Sequence, residues 1–187
     1  TLDYIGNNEV VAVDQNGGVW SSPDVGDTWS WIATITTDIP VPKLCYVGDG
    51  VLLCNSNLGL YRSNDRGHTW VAIEIAGDST YADYSYTNID HKNGITFLTR
   101  DDGEDTGVQI CRSIDAGITW EEILATTTYF AIGNVESIGG GAFLCAVNDA
   151  SRLAPTILRS DDLGKTWQVA TAELSDIGAY GALGGPL

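Results

Sequence analysis

Three groups of side chains in this 187-residue chain have types and spacings that could do chemistry. Asp101, Asp102, Glu104 and Asp105 set hard carboxylate oxygens in one short span, the donor chemistry of a Ca²⁺ site, although the alternating spacing of an EF-hand loop is missing. Tyr81, Tyr84 and Tyr86 surround Asp83, which combines flat apolar rings and hydroxyl handles with a carboxylate, the composition of a sugar- or protein-contact surface. The third group is arginine. Arg100 and Arg152 fall in polar connections, whereas Arg62, Arg112 and Arg159 each stand immediately before a serine of a repeated motif. Converging guanidiniums make a carboxylate clamp, but regular recurrence along one strand favours packing beside a local acidic partner. His68 and His91 have no Ser or Cys arranged beside them as a nucleophile, so a hydrolase triad has no support.

The elements that must position these groups are repeats. The pattern Ser-x-Asp-x-Gly-x-Thr-Trp occurs four times, with Ser22, Asp24, Gly26, Thr28 and Trp29 in the first copy and Ser63, Asp65, Gly67, Thr69 and Trp70 in the second. Ser113, Asp115, Gly117, Thr119 and Trp120 form the third, and Ser160, Asp162, Gly164, Thr166 and Trp167 the fourth. Each octet lies between short apolar runs and therefore reads as a hairpin turn. Asp folds its carboxylate back onto backbone N–H groups, Gly accepts positive φ, and Thr starts the returning strand. Trp supplies a large apolar surface to whatever packs beside the hairpin. The repeat aspartates stand at 24, 65, 115 and 162, steps of 41, 50 and 47 residues, which is the length of a four-stranded propeller blade. Helical periodicity is not evident.

The octet resembles the Asp-box, or bacterial neuraminidase repeat, of sialidases, sortilin-type receptors, photosystem II assembly factors and some xyloglucan hydrolases. The resemblance implies an all-β fold, a β-propeller whose boxes are structural turns between the two outer strands of each blade, away from the ligand-binding face. The expected layout is one domain over 1–187, with blades near 1–37, 38–78, 79–127 and 128–175 and a tail or closing strand over 176–187. A closed four-bladed ring is favoured over an open arc completed by a partner. The candidate binding face is the end opposite the boxes, to which Tyr81, Asp83, Tyr84, Tyr86, Arg100 and Arg152 are assigned.

Composition narrows the partners. A net charge of −16 repels phosphate backbones and anionic membrane surfaces, so nucleic acid is not an expected partner. No apolar run approaches membrane-spanning length, and membrane insertion is not expected. The four cysteines have no metal-ligand spacing. Cys45 and Cys54 flank a turn and could pair, but Cys54 and Cys145 share a repeat position with Ala12 and Leu98, so buried free thiols are the expectation. A sialidase would need an arginine triad, a Tyr–Glu nucleophile pair and an acid/base Asp. Only six arginines are present, three of them in the box strands, and no Arg-Ile-Pro motif opens the chain. No cofactor is expected apart from the candidate Ca²⁺.

The expected function is a non-enzymatic binding or assembly module with a protein partner or self-association, exposed outside cells or on a virion surface. The alternatives are a carbohydrate-active propeller, either lectin or glycosidase fragment, and an intracellular assembly factor.

Overall fold

The computed structural model describes residues 1–35, 43–56, 59–75, 85–101, 107–126, 129–149 and 155–170. They form four antiparallel four-stranded sheets, each a simple up-and-down meander, with no helix among the described residues. Blade one is β1 (Leu2–Gly6), β2 (Glu9–Val13), β3 (Gly18–Ser22) and β4 (Ser30–Thr34). Blade two is β5 (Lys43–Gly48), β6 (Val51–Ser56), β7 (Gly59–Ser63) and β8 (Val71–Ile73). Blade three is β9 (Ser85–Lys92), β10 (Ile95–Asp101), β11 (Val108–Ser113) and β12 (Glu121–Thr126). Blade four is β13 (Tyr129–Gly139), β14 (Ala142–Asp149), β15 (Pro155–Ser160) and β16 (Gln168–Val169).

Local sequence explains the turns. Asn7-Asn8, Asp49-Gly50 and Asn93-Gly94 join the first two strands of their blades with positive φ at both residues, the conformation of a type I′ hairpin that Asn, Asp and Gly accept best. Gly140-Gly141 does the same in blade four. These turns lie at the box end of the blades and hold the boxes: Val25 N–H donates to Asn8 O at 2.9 Å, Arg66 N–H to Gly50 O at 2.9 Å and Leu163 N–H to Gly141 O at 3.1 Å.

The sheets pack face to face in chain order through three buried clusters. The first joins Val11, Val13 and Val19 of blade one to Leu44, Leu52 and Cys54 of blade two. The second joins Cys45, Leu53 and Leu60 to Ile89, Leu98 and Cys111 of blade three. The third joins Phe97, Val108 and Ile110 to Val135, Phe143 and Cys145 of blade four. Phe97 meets Phe143 edge-on at 4.9 Å between ring centroids, a geometry worth about 0.5–1.5 kcal/mol beyond the area buried.

Burial along the second strands follows from this stacking. In β10, between two neighbours, every described residue from Ile95 to Arg100 is buried. In β14 burial alternates, with Phe143, Cys145 and Val147 buried and Ala146 and Asn148 exposed, the pattern of a sheet covered on one face only. Among the described residues no buried cluster joins blade four to blade one.

All four cysteines are buried and free. The register places Leu53 opposite Cys45 and Leu44 opposite Cys54, so the two thiols point to opposite faces of blade two and serve different inter-blade cores.

Candidate functional site

The two ends of the blades are built differently. At the box end each octet closes a circuit of hydrogen bonds that repeats in all four copies. The serine hydroxyl is buried, donates to Asp Oδ1 at 2.8 Å, and accepts the glycine N–H at 2.7–2.9 Å. The same aspartate accepts the Thr N–H at 2.8–2.9 Å and the Thr hydroxyl at 2.5–2.6 Å. The tryptophan indole N–H donates back to the glycine carbonyl at 2.8–3.2 Å.

These donors hold the carboxylates in the charged form. The Thr166 hydroxyl above all draws Asp162 from 3.8 down to about 2, and Thr28 lowers Asp24 in the same way. At Asp65 and Asp115 burial pushes upward, but the donors outweigh it and both are lowered. The boxes are therefore internally satisfied turns.

The residue between box Asp and Gly escaped the sequence reading. Val25, Arg66, Ala116 and Leu163 all have φ between 56° and 63°, immediately before a glycine that is also at positive φ. The varied side chains at this position carry no signal of its left-handed backbone, and Val25, being β-branched, is the most strained of the four.

Each repeated arginine has its own separate partners. Arg62 Nε donates to Ala116 O of the next box at 2.9 Å and its guanidinium also reaches Asn64. Arg112 is buried with Glu121 at 3.5 Å, and Arg159 grips its near neighbour Asp161 at 2.6–3.0 Å. The three do not converge on one point, in line with strand packing and against a clamp.

At the opposite end the inner strands carry a polar brace. Lys43 Nζ donates to Asn88 Oδ1 at 2.8 Å, and Asn88 Nδ2 donates to Asp90 Oδ2 at 2.7 Å and to Asn134. Asp90 Oδ2 also accepts Val135 N–H at 3.2 Å, so the brace links blades two, three and four. Burial raises the Asp90 carboxyl above its ordinary value, opposed by Val135 N–H and Lys92. Asn55, paired in register with Lys43, is 1% exposed and has neither amide oxygen nor nitrogen hydrogen-bonded.

The residues assigned to the binding face fare differently. Arg100 lies within β10 and not in an open loop: its side chain is 4% exposed and its Nε donates to Gln109 Oε1 at 2.6 Å. Pairing of Asp101 with Val108 shortens the acidic loop by two residues from the 100–107 stretch the sequence suggested. Tyr86 lies in β9 and Asp101 ends β10. Tyr81, Asp83, Tyr84, Arg152, Asp102, Glu104 and Asp105 lie outside the described residues.

Chemically, the described polar groups hold and orient. Burial pushes the Cys45, Cys54 and Cys145 thiols up to about 12, which removes them as thiolate nucleophiles. No group of three His, Cys, Asp or Glu able to hold a metal occurs among the described residues.

An all-β array of four-stranded antiparallel sheets, each closed by the same Ser-Asp-Gly-Thr-Trp turn, defines a β-propeller-type protein built on Asp-box repeats. The BNR-Asp box repeat model matches residues 60–73, the second box and its flanking strands. No curated protein matches the chain. Among solved structures, the GH74 xyloglucanase from Xanthomonas campestris is similar at 18% identity and a TM-score of 0.62, over 88% of this chain and 28% of that one. The Hadza microbial sialidase Hz136 is similar at 17% identity and 0.62, over 90% and 45%. YCF48 bound to D1 peptide is similar at 15% identity and 0.58, over 90% and 64%. The chain thus spans less than two thirds of the length of each of these propellers, and at these identities the likeness is one of fold.

Proposed function

We propose that this chain is a non-enzymatic binding and assembly module on a β-propeller scaffold, working at an exposed extracellular or virion surface. The observation that carries the reading is the division of labour between the ends of the blades. Box-end polar groups are consumed in circuits within each turn, while the brace of Lys43, Asn88 and Asp90 ties neighbouring blades into one rigid array. A sheet array stiffened in this way suits a rigid scaffold that presents a fixed surface to a protein or glycan. The net charge of −16 suits a soluble exposed surface and selects against nucleic acid and anionic membrane surfaces.

The second reading is a carbohydrate-active propeller, favoured by the fold shared with a xyloglucanase and a sialidase. An assembly-factor role is a variant of the first reading, favoured by the fold shared with peptide-bound YCF48. Incubation with a fluorogenic sialoside and with xyloglucan separates them. The binding reading expects no release from either substrate; turnover that disappears in Arg152→Ala replaces it with the glycosidase reading.

A further inference from the structure

The two outermost sheet faces of the chain are the two halves of the interface that the chain makes three times internally. The strand registers make Leu2, Leu44, Ile89 and Val135 equivalent, each opposite the repeat position of Ala12, Cys54, Leu98 and Cys145, and each facing the preceding blade. Leu44, Ile89 and Val135 are 8%, 4% and 0% exposed; Leu2, on a face of blade one that no described sheet covers, is 64% exposed. The box shows the same contrast. A methyl group on Gly117 would lie 2.7 Å from Leu53 of the preceding blade and one on Gly164 2.5 Å from Phe97, whereas at Gly26 the nearest atom belongs to its own Trp29, at 3.9 Å.

Blade four presents the other half. Val13, Asn55, Thr99 and Ala146 are equivalent positions facing the following blade. The first three are buried and Ala146 is exposed. Leu144 and Ile157 flank it, each only half-buried where Leu53, Phe97, Leu60 and Ile110 are fully covered. The box-strand arginines differ: Arg62 donates to the box carbonyl of the next blade, whereas Arg112 and Arg159 turn to Glu121 and Asp161 of their own blades.

We propose that the face of blade four in one copy packs on the face of blade one in a second copy, repeating the internal blade-to-blade contact head to tail. A second copy brings the matching half by construction, and the contact continues an interface that the chain already forms three times. Leu144 would then sit under Gly26 as Leu53 sits under Gly117, and Arg159 would reach Val25 O as Arg62 reaches Ala116 O. A heterologous contact of this kind builds a ring or a filament. Because each copy carries a charge of −16, association strengthens as salt screens the repulsion.

This inference rests on the assembly reading above and names its partner. The test is the native mass by light scattering after size exclusion, at low and high NaCl, for the wild-type chain, Leu2→Glu and Ala146→Lys. Both substitutions lie at exposed positions, and thermal melts report that each chain is folded. The expected mass is about 40 kDa or a higher multiple, against 19.9 kDa for one chain. Either substitution alone returns it to the single-chain mass at the lower protein concentrations, and an equal mixture of the two variants recovers a dimer through their intact faces. A wild-type chain that stays monomeric at high salt, or an oligomer that survives both substitutions, overturns the proposal. An oligomer broken by Leu2→Glu but not by Ala146→Lys also overturns it, since it means two blade-one faces meeting. Sialoside and xyloglucan turnover measured on the same monomeric variants tests the binding reading separately from the contact.

Discussion

Blades two and three bury both faces of their second strands, whereas blade four buries one. Leu53 and Leu98 are fully covered, while Leu144 is half-covered and Ala146 is exposed. The four repeats carry the same box and the same strand order, so the difference lies in what stands beside each blade. In this fold an Asp-box turn is completed by four side chains and the backbone of its glycine, but its glycine and tryptophan gain their apolar contacts from the blade before. Trp70, Trp120 and Trp167 pack on inter-blade cores, and Trp29, making the same hydrogen bond to its glycine carbonyl, is 40% exposed.

The largest expected effect comes from placing the same substitution on both sides of this contrast. Gly117→Ala adds left-handed strain of about 1–2 kcal/mol to a clash with Leu53, which brings overpacking of about 1–3 kcal/mol. Gly26→Ala brings the strain alone. Urea unfolding of the two variants, at a concentration where the chain is monomeric, should show Gly117→Ala the less stable by about 1–3 kcal/mol. Equal losses would mean that blade one is as covered as blade three.

Next comes the circuit itself. Ser113→Ala removes the acceptor of Gly117 N–H and the donor to Asp115 at a buried site, and should cost about 1–3 kcal/mol. The measurement is again the denaturation midpoint; a change within error would show that the hydroxyl adds nothing beyond the backbone turn.

A smaller gain is expected from Val25→Asn. It relieves a β-branched residue held at φ 59° and should stabilise the chain by about 0.5–1 kcal/mol, whereas Ala116→Asn in the third box should gain less. Thermal melts of the two variants give the comparison directly.

The smallest effect is that of pH. Asp162 is held at about 2 in the folded chain against an ordinary 3.8, so its contribution is present above the unfolded value and is lost as pH falls through the folded one. The denaturation midpoint should therefore drop between about pH 4 and about pH 2, with a shallower slope in Asp162→Asn. Because this carboxylate is solvent-exposed, screening keeps the slope modest.

Much of the fold was legible because its information is local. The octets announce their turns through Ser, Asp, Gly, Thr and Trp in fixed order, and Asp49-Gly50 and Asn93-Gly94 announce hairpins in two residues each. Positions that depend on neighbours were not legible. Arg100 follows a threonine and precedes two aspartates, which reads as the start of a loop, yet cross-strand pairing with Gln109 draws it into β10. β13 begins at Tyr129, earlier than the apolar run at Val135, because irregular pairing with β14 carries the strand past Gly133 and Asn134. The polar brace of Lys43, Asn88 and Asp90 was invisible because Lys43 lies on one inner strand, Asn88 and Asp90 on another and their partner Val135 on a third, linked only when the blades stack. Ala12, grouped with Cys54, Leu98 and Cys145 as a buried apolar position, keeps the apolar type but is only half-buried, since no described sheet packs over that face of blade one.

The most direct test of the account is hydroxyl-radical labelling of the box tryptophans in the monomeric Ala146→Lys chain, read residue by residue by mass spectrometry. Trp29 should be oxidised faster than Trp70, Trp120 and Trp167, and its labelling should fall in the wild-type chain as association covers blade one. Equal protection of Trp29 and Trp120 in the monomer would mean that blade one is already packed against a sheet of its own chain, and would contradict the reading of its face as the open half of an interface.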